Sequence, residues 1–95
     1  MKAEMLIRER YVLAEDVFAE IVVWRAPESV RGSRHDLKYR LALVAKGESV
    51  LRYDNEAGKG DHRHVGRREM PYRFVSADEL LADFWADVDQ WMRQR

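Results

Sequence analysis

"LKYRLALVAKGESVLRYD", Leu37 to Asp54, alternates apolar and charged residues around a glycine turn. In an extended backbone Leu37, Tyr39, Leu41 and Leu43 fall on one face and Lys38 and Arg40 on the other. That is a half-buried strand. Lys46-Gly47-Glu48 closes a hairpin into a second extended run, Ser49 to Asp54. An antiparallel sheet with one covered face is the architecture this stretch demands.

The flanking segments extend that sheet. "AEMLIRERYVLA" sets Met5, Ile7, Tyr11 and Leu13 against Arg8 and Arg10, again with period two. Glu15-Asp16 marks a turn. "VFAEIVVWRA", Val17 to Ala26, is rich in β-branched and aromatic residues and predicts a more buried strand ending at Pro27. "PESVRGSRHD", Pro27 to Asp36, reads as a loop. Downstream, Asn55 to Gly60 carries two glycines and reads as irregular, "DHRHV" as extended, and Pro71 to Val75 as a short strand. Ser76 opens a helix. "SADE" has the capping-box spacing, and Leu80, Leu81, Phe84, Trp85, Val88, Trp91 and Met92 form a wide apolar stripe over about Ser76 to Gln90. The predicted fold is α+β: an antiparallel sheet of four or five strands with one C-terminal helix packed on one face.

Composition narrows the class. At 95 residues the chain predicts a single domain, residues 1–95. It is 46% hydrophobic yet 36% charged, so its core is small and its surface heavily charged. The absence of cysteine excludes a disulfide framework and a Cys-based zinc site. Charges interrupt the apolar N-terminal run, and no stretch approaches the ~20 apolar residues of a membrane span, so a cytoplasmic protein without a membrane partner is expected. Net charge is zero, but unevenly spread. Arg31 to Arg73 holds eleven Lys or Arg against six Asp or Glu, whereas Ser76 onward holds two against five.

The even-numbered residues facing away from the helix are Arg8, Arg10, Lys38 and Arg40, with Arg52 a further candidate. Such a face can follow a phosphate backbone, although a solvated sheet face has the same composition.

Three chemistries fit "YDNEAGKGDHRH", Tyr53 to His64. The first is acid–base catalysis. His62 and His64 share a face of an extended backbone, and such a pair can cleave RNA by activating a 2′-hydroxyl and protonating the leaving oxygen. Lys59 or Arg63 would stabilise the phosphorane, with Asp61 a further catalytic candidate and Gly58 and Gly60 opening backbone N–H groups to phosphate. No cofactor is needed. The second is metal binding by His-x-His with Asp54, Asp61 or Glu56. The third is structural: an Asx turn at Asp54-Asn55, glycines at positive φ, and histidines bonded to carbonyls. A P-loop is excluded by spacing, and His35, in the loop, reads as inert.

The stretch Leu51 to Val88 resembles the TumE-type toxin family of bacterial toxin–antitoxin systems: Tyr-Asp-Asn, Gly-Lys-Gly-Asp-His-Arg-His, Pro-Tyr-x-Phe and Asp-Phe follow in order. The opening "MKAEMLIRER" and "KYRLALV" fit as well, so the likeness covers nearly the whole chain. The matching positions are Tyr53, Asp54, Asn55, Gly58, Lys59, Gly60, Asp61, His62, Arg63 and His64. After the histidines the pattern departs, with Arg67 where a second glycine often follows Gly66. The resemblance implies a growth-inhibiting toxin, neutralised by a helix-turn-helix antitoxin and aimed at RNA or the ribosome. It leaves the mechanism open, and a homo-oligomer is compatible with it. The alternative is a non-catalytic binding module that docks a protein or nucleic-acid partner. Glu79, Asp83 and Asp87 recur every four residues and form an acidic stripe, and a basic antitoxin is expected to dock on it or to cover the His62–His64 loop, although an ordinary solvated helix face has the same composition.

Overall fold

Six strands pair in chain order as one antiparallel meander: β1 Glu4–Ala14, β2 Val17–Arg25, β3 Leu37–Ala45, β4 Glu48–Glu56, β5 Gly60–Val65 and β6 Arg68–Pro71. One helix, α1 Ala77–Gln94, follows. The computed structural model describes residues 3–27, 34–56 and 58–95. Most of the expected loop at Pro27 to Asp36 therefore lies outside the described residues.

The period-two patterns set the burial. Val17, Ala19, Ile21 and Val23 on β2, Leu37, Tyr39, Leu41, Leu43 and Ala45 on β3, and Leu51 and Tyr53 on β4 all point to one face and are buried. The helix covers that face with Leu80, Phe84 and Val88, spaced four apart along one side. Its start is capped as expected: the Glu79 N–H donates to Ser76 Oγ at 3.1 Å. Trp91 and Met92 complete the stripe, half-buried against the core. At the far end Arg95 donates to both carboxylate oxygens of Asp16 at 3.0 Å, tying the helix terminus to the β1–β2 turn.

Three expectations need correction. Among the described residues the strands number six rather than four or five. The last strand is Arg68–Pro71, not Pro71–Val75: it folds back from β5 through Gly66-Arg67, with Gly66 at φ 59°, and proline, having no N–H, terminates it. Asn55 and Glu56 lie in β4 rather than in an irregular loop. The reason is the Asn55 side chain, 1% exposed, which accepts from the Tyr39 N–H at 3.0 Å and donates to the Leu37 carbonyl at 2.7 Å. The amide takes the place of a peptide unit and carries the β3–β4 ladder past its last backbone pair, Arg40 with Asp54.

Candidate functional site: the sheet face opposite the helix

The register assembles the outer face row by row. One row runs Arg8, Val22, Arg40, Asp54, His62, Pro71 across all six strands. The next runs Arg10, Glu20, Ala42, Arg52, His64, Glu69. Lys38 stands in a third row with Trp24 and Met5. Arg8, Arg10, Lys38 and Arg40 are exposed, and Arg52 is half-buried. The basic residues and both histidines therefore occupy one face.

At the β4–β5 end the polar side chains converge on a recess of about 130 Å³ lined by Arg52, Asp54, Lys59, His62, His64 and Glu69, among others. Arg52 Nη2 lies 3.1 Å from His64 Nε2. Guanidinium nitrogen only donates, so His64 Nε2 accepts and the ring proton sits on Nδ1. Asp54 flanks both groups, with Oδ2 3.2 Å from Arg52 Nε and Oδ1 3.5 Å from His64 Nε2. The Arg52 Nε contact is close but not aligned as a hydrogen bond, and Nε is buried. His62 is fixed differently. Its Nε2 donates to the Lys59 carbonyl at 2.7 Å, while buried Nδ1 lies 3.4 Å from Glu69 Oε1 and makes no hydrogen bond there. His64 thus holds a lone pair under an arginine, and His62 holds a proton on Nε2 and has a carboxylate waiting beside Nδ1.

The glycines make this recess. Gly58 and Gly60 adopt φ 89° and 80°, a region closed to most side chains, and return the chain from Glu56 into β5. Lys59 between them reaches Glu56, Nζ to Oε2 3.7 Å, on the exposed turn.

Other sequence candidates lie elsewhere. Asp61 and Arg63 alternate with the histidines and so face the helix. The Asp61 carboxylate accepts from Tyr39 Oη at 2.6 Å and His35 Nε2 at 2.8 Å. His35, read from sequence as inert, also accepts the Leu37 N–H on Nδ1 and stacks on Phe74, ring centroids 3.7 Å apart. Arg63 Nε donates to Asp87 Oδ2 at 2.8 Å, and Tyr53 Oη donates to the same oxygen at 2.5 Å. Asp83 accepts from Tyr72 Oη at 2.5 Å. Asp83 and Asp87 are therefore half-buried anchors between helix and sheet rather than an acidic stripe open to a partner. Burial, reinforced by these carboxylates, pushes the phenols of Tyr39, Tyr53 and Tyr72 well above the ordinary tyrosine range.

Sequence reading missed the aromatic part of the outer face. Strand β2 alternates buried and half-buried residues, so Phe18, Val22 and Trp24 are on the outer side. The Arg10 guanidinium lies 3.9 Å over the Phe18 ring. The even spacing of Phe18, Glu20, Val22 and Trp24 was the available signal. Among the described residues no cluster of three or more His, Asp or Glu side chains is arranged to hold a metal ion, and no helix is long and apolar enough to cross a membrane. Because Asp61 faces the helix, it is parted from the two histidines it was paired with as a metal ligand.

The family model described as toxin TumE matches residues 2–92. No curated protein and no solved structure matches the chain.

Proposed function

The chain belongs to the TumE toxin family and is thereby the toxin of a toxin–antitoxin pair; we propose that it acts by cleaving RNA, with His62 and His64 as the acid–base pair and no metal. The observation that carries this reading is the register that aligns both histidines with Arg8, Arg10, Arg40 and Arg52 on one face. A polyanion lying along the basic rows is delivered to the two imidazoles.

The chemistry follows from the protons. His64 Nε2, released from Arg52 as the guanidinium turns to the phosphate, takes the 2′-hydroxyl proton. The 2′-oxygen attacks phosphorus, and the bond from phosphorus to the 5′-oxygen breaks. His62, protonated on both nitrogens with Glu69 facing Nδ1, gives its Nε2 proton to that 5′-oxygen in place of the Lys59 carbonyl. The products are a 2′,3′-cyclic phosphate and a free 5′-hydroxyl. Arg52 and Lys59 balance charge on the phosphorane, and Asp54 orients Arg52, which in turn holds His64. One imidazole with a lone pair on Nε2 and one with a proton on Nε2 supply a base and an acid.

His64→Ala is expected to abolish RNA cleavage and growth inhibition while leaving the melting temperature nearly unchanged, since the half-buried ring lies on the sheet face away from the core. Retained toxicity in His64→Ala together with graded loss as arginines are removed would instead support a binding module without chemistry, the reading favoured by the bond that holds His62 to Lys59. Inhibition is relieved by the cognate antitoxin, which we propose to be a helix-turn-helix protein. With Asp83 and Asp87 occupied, the outer face is the better candidate for its contact.

A further inference from the structure

A groove larger than the recess at the histidines lies elsewhere among the described residues. It opens on the same face between β1 and β2, holds about 590 Å³, and is lined by Met5, Arg8, Arg10, Glu20, Val22 and Trp24, with Glu9 at its edge. Met5 and Trp24 are cross-strand partners, and Lys38 stands on the other side of Trp24. Met5 is 38% exposed, well above what a sulfur-bearing core residue shows. A planar indole beside a thioether, rimmed by Arg8 and Arg10, suits a flat aromatic ligand attached to a negatively charged chain. Arg10 is held in place by Phe18 beneath it and by Glu20, 4.0 Å away, whereas Arg8 makes no ion pair among the described residues.

We propose that this groove seats one unstacked base of a single-stranded RNA against Trp24 and Met5, while the backbone crosses β3 and β4 on Arg8, Lys38 and Arg40 to the histidine pair. The inference deepens the ribonuclease reading and rests on the same face, but binding here needs no cleavage. Aromatic side chains on an open sheet face with basic neighbours can stack bases only when those bases are out of a duplex. Three strand spacings, about 14 Å, separate β2 from β5. The anchored base therefore sits a few nucleotides from the bond that is cut, always on the same side of it, and the groove acts as a ruler.

The test uses single-stranded 2′-O-methyl octanucleotides, which lack the nucleophile and stay intact, with one abasic unit moved along the sequence. Wild-type protein is expected to lose about tenfold in affinity when one particular position is abasic. Trp24→Leu is expected to bind the whole series, without positional dependence, at the affinity wild type keeps for that one abasic oligonucleotide, about tenfold below its best. Trp24→Phe, which keeps a stacking ring, should restore most of the affinity. In cleavable RNA the bond cut should shift relative to the sequence in Trp24→Leu. Equal affinity across the abasic series for wild type, or duplex bound as tightly as single strand, overturns the inference, as does absence of any binding at low salt. Position-dependent binding without cleavage would leave this groove standing and remove the ribonuclease reading. Cleavage without positional dependence would do the reverse.

Discussion

Asn55 and Lys46 carry the residue-scale argument. Alternation cannot tell an asparagine that ends a strand from one that lengthens it, so the Tyr-Asp-Asn run reads from sequence as an Asx turn. Its amide instead replaces a peptide unit between Leu37 and Tyr39. Asn55→Asp keeps shape but turns the donor facing the Leu37 carbonyl into an acceptor. Leaving buried polar groups in conflict costs about 1–3 kcal/mol per unmet hydrogen bond, more with charge, so chemical denaturation should show Asn55→Asp at least as unstable as Asn55→Ala. Near-wild-type stability of the aspartate variant would refute the ladder role. Lys46 was legible as a turn residue but not as a strained one. It sits at φ 52° beside Gly47 at φ 79°, the two-residue turn that favours Asn-Gly. Lys46→Asn is expected to raise stability by about 0.5–1 kcal/mol, part of the left-handed penalty of a long side chain, measured as an upward shift in the urea midpoint with unchanged slope.

Among the elements, the helix was the most legible from sequence because a capping box and a stripe of period 3.6 agree. Phe84 is fully buried and touches the rings of Tyr53 and Trp85 edge-on, centroids 6.0 and 5.4 Å apart. Phe84→Ala should cost about 3–5 kcal/mol, a large share of the 5–15 kcal/mol that holds a domain together. Calorimetry should show either a strongly lowered melting temperature or no cooperative transition; a small shift would mean the helix is not docked through this ring. The strands after Glu56 were the least legible. From Asp61 to Val65 every residue of β5 is half-buried, so no alternation marks which side is the core. Only the register set by the glycine turn decides that His62 and His64 face outward and Asp61 and Arg63 inward. The candidate site was accordingly half readable. Period two puts Arg8, Arg10, Lys38 and Arg40 on one side, but joining them to the histidines requires pairing across four strand boundaries, a non-local fact.

At the scale of the whole molecule the two faces divide the work. The outer face gathers cations, imidazoles and aromatic rings, while the inner face is closed by three phenol–carboxylate bonds: Tyr39 to Asp61, Tyr53 to Asp87 and Tyr72 to Asp83. Tyr53 with Asp87 joins helix to sheet, and Tyr72 with Asp83 joins the helix to the segment after β6, so the phenolic protons are part of what holds the layers together. Burial first, then the facing carboxylate, raises each phenol above its unfolded value. A group whose pKa is raised by folding gives stability that is fully present below the unfolded pKa, about 10 for tyrosine, and lost as pH climbs above it. In that window the unfolded chain releases protons that the folded chain keeps, so the unfolding free energy falls with pH. For the two fully buried phenols, Tyr39 and Tyr53, the slope reaches up to about 2.7 kcal/mol per pH unit. The fold should therefore be steady to alkaline pH near 10 and then lose its stability over roughly two units or more. Absorbance at 295 nm followed alongside circular dichroism checks it. The ionisation of Tyr39 and Tyr53 should coincide with loss of the β-sheet signal and return with it on back-titration. Tyr53→Phe, which leaves Asp87 to Arg63, should move the transition to higher pH relative to its own stability at neutral pH. Full tyrosine ionisation with an unchanged dichroism spectrum would mean that the phenols are open to solvent, and the closed inner face would have to be abandoned.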